Sequence, residues 1–244
     1  MSTQDSTPDR DFIGGLPDLS DWNGVERWIA SRLAALQKSS FSDDVRSTFT
    51  GMDFRPSSPA MLGGFSSSRW RKLTLAAFAA DWACYSKQTD RVEFARLAYA
   101  TATFPVGFRV WFCRLEDGCH TPVGYSGWFP ISANVFLLLL QRPETVGRRG
   151  LVTPLPRLDE PAYVYLFNAS IVPQLRGGSP QSTALMRRFA EDIGGVRKKG
   201  LLSLTVSEDG RRFSRRFGMT QKGSIATDGE AEDVFVRAEP RPWF

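Results

Sequence analysis

The sequence has few of the residues that most often carry covalent or metal chemistry. Its 244 residues include three cysteines, Cys84, Cys113 and Cys119, and a single histidine, His120. The spacing Cys113-x5-Cys119-His120 offers too few ligands for a structural zinc site, so no metal is expected. An odd, low cysteine count excludes a disulfide-built scaffold and fits a reducing, cytoplasmic compartment. A Ser-His-Asp triad would have to use His120, which the spacing places at a hairpin turn, and no G-x-S-x-G elbow accompanies it. Long apolar runs are also missing. None is longer than Val135–Leu140, which is far too short to cross a bilayer. Residues 1–11 are polar, so no secretory leader is expected. Neither charge sign dominates: 31 basic residues face 26 acidic ones, a net charge of +5. The excess gathers in Arg148–Arg149, Arg187–Arg188, Arg197–Lys199 and Arg211–Arg216. Such clusters read as a nucleic-acid surface, an anionic-ligand site or solvated helix faces. No nucleic-acid recognition motif appears.

Aromatic residues are plentiful. Seven Trp and eighteen Phe imply a large core, an apolar groove or both. With 42% apolar and 23% charged residues, the composition is that of a globular domain. The length allows one sizeable domain with an extension, or two small domains.

The most informative stretch is Tyr163 to Met219. Ala162–Val172 is apolar, aromatic and β-branched at nearly every position, the pattern of a strand covered on both faces. It breaks at Pro173 and again at Gly177-Gly178. Ser179 and Pro180 form a helix-start signature, and Ala184, Leu185, Phe189 and Ile193 follow at helical spacing. Gly194-Gly195 ends that helix. Leu201–Val206 reads as a second buried strand, and an Arg-rich helix runs from about Glu208 to Phe217, closing at Gly218. A glycine loop that opens a helix presents free main-chain N–H groups and the positive end of the helix dipole, and so suits a phosphate or diphosphate. The alternative is an ordinary strand-to-helix turn.

Ile171-x-Pro173-x-x-Arg176-Gly177 followed by a helix resembles motif A of the GNAT acetyltransferase superfamily, V-x-P-x-x-R/Q-x-x-G-x-G/A. In that family the motif wraps the diphosphate of acyl-coenzyme A. Two registers fit, one with Arg176 and one with Gln174 at the R/Q position; the second brings Gly177 onto the required glycine and Ser179 onto the Gly/Ala position. Downstream, Ser207-x-x-Gly210-x-x-Phe213-Ser214-x-x-x-Gly218-Met219 resembles the family's N-x-x-A-x-x-F-Y-x-x-x-G-F signature. Ser214 stands where that signature has the Tyr that often protonates the leaving thiolate. The resemblance is clearest over 163–219 and extends over about 50–240.

It implies an α/β (α+β) fold, a GNAT-like mixed central sheet flanked by helices with a helical N-terminal extension. Residues 1–50 would be that extension, partly disordered, with one amphipathic helix from about Ser20 to Lys38; residues 51–244 would form the acyltransferase domain. Trp22, Val25, Trp28, Ile29, Leu33 and Leu36 share a face of the helix, which docks on the domain body or on a partner or membrane surface. Met52–Pro56 resembles the family's short first strand. Ser66–Ser68 caps a helix over Arg69–Ser86, and a second helix covers Arg91–Thr101. Phe108–Arg114 and Pro122–Trp128 flank Glu116-Asp117-Gly118 as a hairpin. Gly124 and Gly127 mark a bulge or a close approach of another backbone. A helix at Ile131–Gln141 and a loop over 142–161 form an insertion at about 131–160, which either shapes acceptor choice or is inert. Asp233–Arg237 reads as a last strand, beside Leu201–Val206.

The resemblance further implies acetyl-CoA or another acyl-CoA as cofactor. It would be held by Asn168, Ser170, Ile171, Val172, Gln174, Arg176, Gly177, Gly178, Ser179 and Ser207, with the pantetheine arm pairing along Asn168–Val172. The acceptor would be an amine-bearing small molecule, or a protein lysine or N-terminus. Ser214 is the candidate for the leaving thiolate; Asp159 or Glu160 is the candidate general base. Other readings stay open. One is a non-catalytic coenzyme A-binding regulatory module. Another is a toxin-activating-type lysine acyltransferase, whose family needs an N-terminal catalytic His that this chain lacks. A basic nucleic-acid-binding protein is the fourth.

Overall fold

The computed structural model describes residues 15–38, 41, 46–54, 67–145, 152–227 and 230–238. The expectations placed on Arg55-Pro56, Ser66 and Arg148–Arg149 lie outside them. In chain order the elements are α1 (Trp22–Lys38), β1 (Thr50–Asp53), α2 (Ser67–Cys84), α3 (Phe94–Thr103), β2 (Phe108–Arg114), β3 (His120–Ile131), α4 (Ala133–Gln141), β4 (Ala162–Ile171), α5 (Pro180–Gly194), β5 (Lys198–Thr205), α6 (Glu208–Arg216), β6 (Thr220–Thr227) and β7 (Glu230–Arg237). The seven strands hydrogen-bond in the order β1-β2-β3-β4-β5-β7-β6. β4 and β5 run parallel, and the pairs β1–β2, β5–β7 and β6–β7 are antiparallel. This is the expected GNAT-like mixed sheet with flanking helices: a short first strand, two helices after it, and the fourth and fifth strands as neighbours.

The chain divides into two compact units. One takes the residues up to 86, with 109–125 and 170–185. Its α1 buries Val25, Ile29 and Leu36. Asp21 caps the helix by accepting the Gly24 N–H at 3.0 Å. The amphipathic face is covered in part: Trp28 and Leu33 are half-buried and Trp22 is exposed. The middle of α2 is apolar all round and Leu73 to Ala80 is buried without a break, the pattern of a core helix. Two polar pairs accompany it, one buried and one half-buried. Tyr125 donates its hydroxyl to Asp81 at 2.8 Å, and Arg109 faces Asp53 at 3.4 Å. Gly124 answers to crowding: a Cβ there would lie 2.5 Å from the Ser170 carbonyl oxygen. The hairpin turns as expected, with Gly118 at φ 78° and His120 as the first residue of β3.

The second unit takes 87–108, 126–169 and the chain from 186 on. Its interior is aromatic. Phe129 lies 5.1 Å from Tyr165 and 5.6 Å from Phe167, centroid to centroid, and Phe167 meets Phe108 edge-on at 5.7 Å. Such pairs add about 0.5–1.5 kcal/mol each beyond the area they bury. Gly127 lets Phe108 in, because a Cβ would sit 2.6 Å from that ring. Phe136 of α4 stacks on Tyr163 at 4.3 Å, which ties the expected helix of the 131–160 stretch to β4. This helix begins two residues later than its sequence pattern suggests. Ile131 still belongs to β3, and Ser132 caps the helix by accepting the Val135 N–H. In the same way α3 starts at Phe94, after a single 3-10 turn over Gln88–Asp90.

β6 is an addition to the expected elements. Its sequence, TQKGSIAT, shows no apolar alternation because it is the edge strand, paired on one side only with β7. Edge strands are commonly kept polar, which blunts unwanted pairing. β5 also starts earlier than its apolar run. Lys198 is buried within it and donates its amine to the Ile193 and Val196 carbonyls. Its charge thus closes the C-terminal end of α5. Burial, reinforced by Arg237, lowers its pKa from the ordinary lysine value.

Candidate functional site

In the first unit, β4 ends at Ile171 and a 3-10 turn covers Pro173–Leu175. Gly177 and Gly178 then take φ values of 79° and 81°, in the left-handed region that other residues enter at a cost. Open space surrounds both, for an added Cβ meets nothing within 4 Å. Conformation rather than crowding demands glycine here. Ser179 caps α5, accepting the Ser182 N–H at 3.1 Å and donating to the Leu175 carbonyl at 2.5 Å. Pro180 is the first helical residue, where its missing N–H costs nothing. Among the described residues, none accepts from the N–H groups of Gly177, Gly178, Ser179 or Gln181. The first turn of α5 also has no acidic residue. The arrangement can take an anion: donors, helix dipole and room are all present.

The flanking side chains brace this turn. Arg176 donates Nε to the Ile171 carbonyl at 2.9 Å and Nη2 to the Cys84 carbonyl at 2.6 Å. Gln174 donates to the Leu36 carbonyl at 3.4 Å. The two side chains that compete for the R/Q position therefore both bond main-chain carbonyls. The Val172 N–H is engaged by the Val123 carbonyl at 2.8 Å. Ser170 is buried and hydrogen-bonds the Cys84 thiol. Burial above all pushes that thiol up to about 12, so Cys84 is inert as a nucleophile near neutral pH.

In the second unit, the β4–β5 ladder runs from Ala162↔Lys198 to Leu166↔Ser203. No further pairing joins these strands among the described residues, so Phe167 is the first β4 residue past the ladder, and it, Asn168 and Ala169 are half-buried. The Arg96 guanidinium lies over the Phe167 ring, 5.5 Å from its centroid. Its Nη2 is enclosed and has no hydrogen-bond partner among the described residues. At the far end of α6, Ser207 engages its hydroxyl as the helix cap, accepting the Gly210 N–H at 3.1 Å. Ser214 is fully buried, with its hydroxyl 2.6 Å from that of Ser203 on β5. The two hydroxyls satisfy each other inside the unit. Asp159 and Glu160 are exposed ahead of β4, and Glu160 meets Arg197 at 3.4 Å.

The structure thus brings Arg176, Gly177, Gly178 and Ser179 into one turn, beside Val172 and Gln174. Asn168 lies in the other unit, with Asp159, Glu160, Ser207 and Ser214. Sequence reasoning passed over Arg96 and Ser203. The one signal for Arg96 was a cation in the first turn of a helix, where the dipole disfavours it. Ser203 had none, since a Ser in an apolar strand looks like any tolerated small residue.

No family model matches the sequence, and no curated protein does. Solved structures do resemble it. The loading GNATL domain of CurA from Lyngbya majuscula is similar at a TM-score of 0.48 and 14% identity, over 68% of this chain and 92% of that one. The GphF GNAT-like decarboxylase in complex with isobutyryl-CoA is similar at 0.46 and 16%, over 68% and 94%. A chain of the NatC complex bound to Gag peptide and CoA is similar at 0.49 and 8%, over 79% and 98%.

Proposed function

We propose that this chain is an acyl-CoA-dependent N-acyltransferase of the GNAT type, whose diphosphate cradle is the turn Arg176–Ser179 with the start of α5. The observation that carries this reading is the run of N–H groups at Gly177, Gly178 and Ser179 that have no acceptor among the described residues, ahead of a helix start that lacks its own acid. Acyl-CoA, when bound, supplies an activated thioester. The residues present fit its diphosphate: the main chain offers donors, both glycines leave room, and Arg176 holds the turn open from behind through Ile171 and Cys84. Asn168 lies just past the end of the β4–β5 ladder and is the candidate to present main-chain groups to a pantetheine arm. Ile171 and Val172 are less free for that role, because the carbonyl of one and the N–H of the other are already engaged. The acceptor is an amine, and Asp159 and Glu160 are retained as candidates to take its proton.

Calorimetric titration with acetyl-CoA tests the cradle. Wild type is expected to bind and Gly177→Asp to bind far more weakly, with the fold intact by circular dichroism. Equal affinities would overturn the assignment. One observation favours the second reading, a coenzyme A-binding module without turnover: the Ser214 hydroxyl is buried against Ser203 rather than open to a leaving thiolate. Thiol release from acetyl-CoA across a panel of amines, lysine peptides and aminoglycosides separates the two. Turnover in that panel excludes the module.

A further inference from the structure

Arg96 sits in the first turn of α3, a turn with no acidic residue. A cation there faces the positive end of the helix dipole, an unfavourable place to hold it. The acid at the N-cap, Glu93, makes no side-chain cap bond, and among the described residues it forms no ion pair with Arg96. Its guanidinium rests on Phe167, and Phe167 is in turn walled by Phe108, Phe129 and Tyr165. A ring face attracts the charge of a guanidinium but accepts none of its N–H bonds in the plane of the fork. The enclosed Nη2 is thus a charged donor without an acceptor among aromatic side chains, where leaving it unmade is most unfavourable. Phe167 is also the residue at which β4 parts from β5. One turn further along α3, Tyr99 holds its side chain out to solvent, 55% exposed.

We propose that Arg96 is a specificity-determining residue that receives a carboxylate of the substrate. The proposal rests on the acyltransferase reading and deepens it by naming the substrate class. A carboxylate matches the planar fork of a guanidinium with two parallel bonds. It brings one negative charge to one positive charge, which leaves no excess in aromatic surroundings; a phosphate dianion would leave one. Two sources have this chemistry. The carboxylate belongs either to the acyl chain, as in a dicarboxylic monothioester, or to the acceptor, as in an amino acid.

Paired probes distinguish them. For the acyl arm, the affinities of succinyl-CoA and of butyryl-CoA, its uncharged counterpart in chain length, are measured by calorimetry. For the acceptor arm, N-acetyl amino acids are compared with their amides by thermal upshift in the absence of cofactor. Wild type, Arg96→Gln and Arg96→Lys are used in both. In one arm wild type is expected to prefer the carboxylate by about 10–100-fold, the range of a charge-assisted pair. Arg96→Gln should abolish that preference and Arg96→Lys should keep part of it. Coenzyme A itself should bind all three proteins alike. If coenzyme A binds and neither arm shows a preference that Arg96→Gln removes, the proposal is overturned. If coenzyme A fails to bind wild type, the cofactor reading falls instead, and the acceptor arm alone decides this one: carboxylate and amide giving equal upshifts would overturn it.

Discussion

Two turns of this protein use the same device with opposite outcomes. After β4, Ser179 caps α5; after β5, Ser207 caps α6. Each hydroxyl accepts the N–H three residues on. At α6 the chain supplies its own anions, because Glu208 and Asp209 occupy the first turn. They neutralise the dipole, and Glu208 also reaches Arg211, Arg212 and Arg215. At α5 the first turn has no acid, and two left-handed glycines place further N–H groups ahead of the cap. A helix start that is only structural completes itself. The α5 start leaves donors, dipole and space uncompensated, and this difference is what the proposed anion site rests on.

The largest expected effect comes from erasing this difference on the α5 side. Gly177→Asp puts a carboxylate beside the free N–H groups, and Asp is among the few residues that tolerate a left-handed φ. Its charge would take the place of the phosphate. Acetyl-CoA affinity should fall by about 10–100-fold, the loss of one or two charge-assisted hydrogen bonds, while the melting temperature changes little. An affinity within twofold of wild type in calorimetry would remove the distinction between the two turns.

A second variant tests how closed the α6 side is. The GNAT signature has Tyr where this chain has Ser214, and Ser214→Tyr looks from sequence like a restoration. The structure argues otherwise. Ser214 is fully buried against Ser203, so a phenol must force its way into packed space. Overpacking of this kind costs about 1–3 kcal/mol, and a urea denaturation midpoint should drop accordingly. A variant as stable as wild type would mean that α6 has room for the larger side chain.

What could be read from the sequence follows the same divide. The strand, glycine turn and capped helix over 162–194 were legible because each step has its own local chemistry: an unbroken apolar run, glycines for positive φ, Ser-Pro for a helix start. β6 was not, because a polar edge strand has no alternation to read, and its only pairing is with β7, which follows it. Burial of Ser214 was hidden too. It lies two residues beyond Arg212 and just before Arg215, in a helix otherwise dominated by charge. The site residues split likewise. Gly177, Gly178 and Ser179 are proposed to act through the main chain, and their turn could be placed from sequence. Arg176 was legible as a motif residue, but its bonds to the Ile171 and Cys84 carbonyls depend on tertiary placement. Arg96 depends on a ring far along the chain.

Removing the two caps gives a smaller, paired effect. Ser179→Ala and Ser207→Ala should each lose about 1 kcal/mol of stability, the ordinary value of an N-cap. Their consequences for acetyl-CoA should differ. Ser179→Ala disorders the start of α5 where the anion is proposed to sit, and should weaken binding several-fold. Ser207→Ala should leave affinity unchanged, because its hydroxyl serves the Gly210 N–H. Paired denaturation and calorimetry check this, and the same loss of affinity in both would show that Ser207 reaches the cofactor.

The smallest expected effect concerns the acids themselves. Glu208→Gln with Asp209→Asn makes the start of α6 as acid-free as that of α5. Both carboxylates are more than half exposed, as are the Arg212 and Arg215 partners. Solvent screening therefore holds their contribution to a few tenths of a kcal/mol, lost at high salt. The stability change is thus small, but the variant settles what makes an anion site. If a Ser-capped helix without acids were enough, the double variant would gain a second phosphate site, and titration with inorganic pyrophosphate would show two equivalents bound. We expect one. The α6 start lacks the pair of left-handed glycines that precedes α5, and so lacks the extra N–H groups ahead of its cap. Two equivalents would show that acids rather than glycines separate the two turns, and that the cradle at Gly177–Gly178 owes its selectivity to what α6 carries and α5 does not.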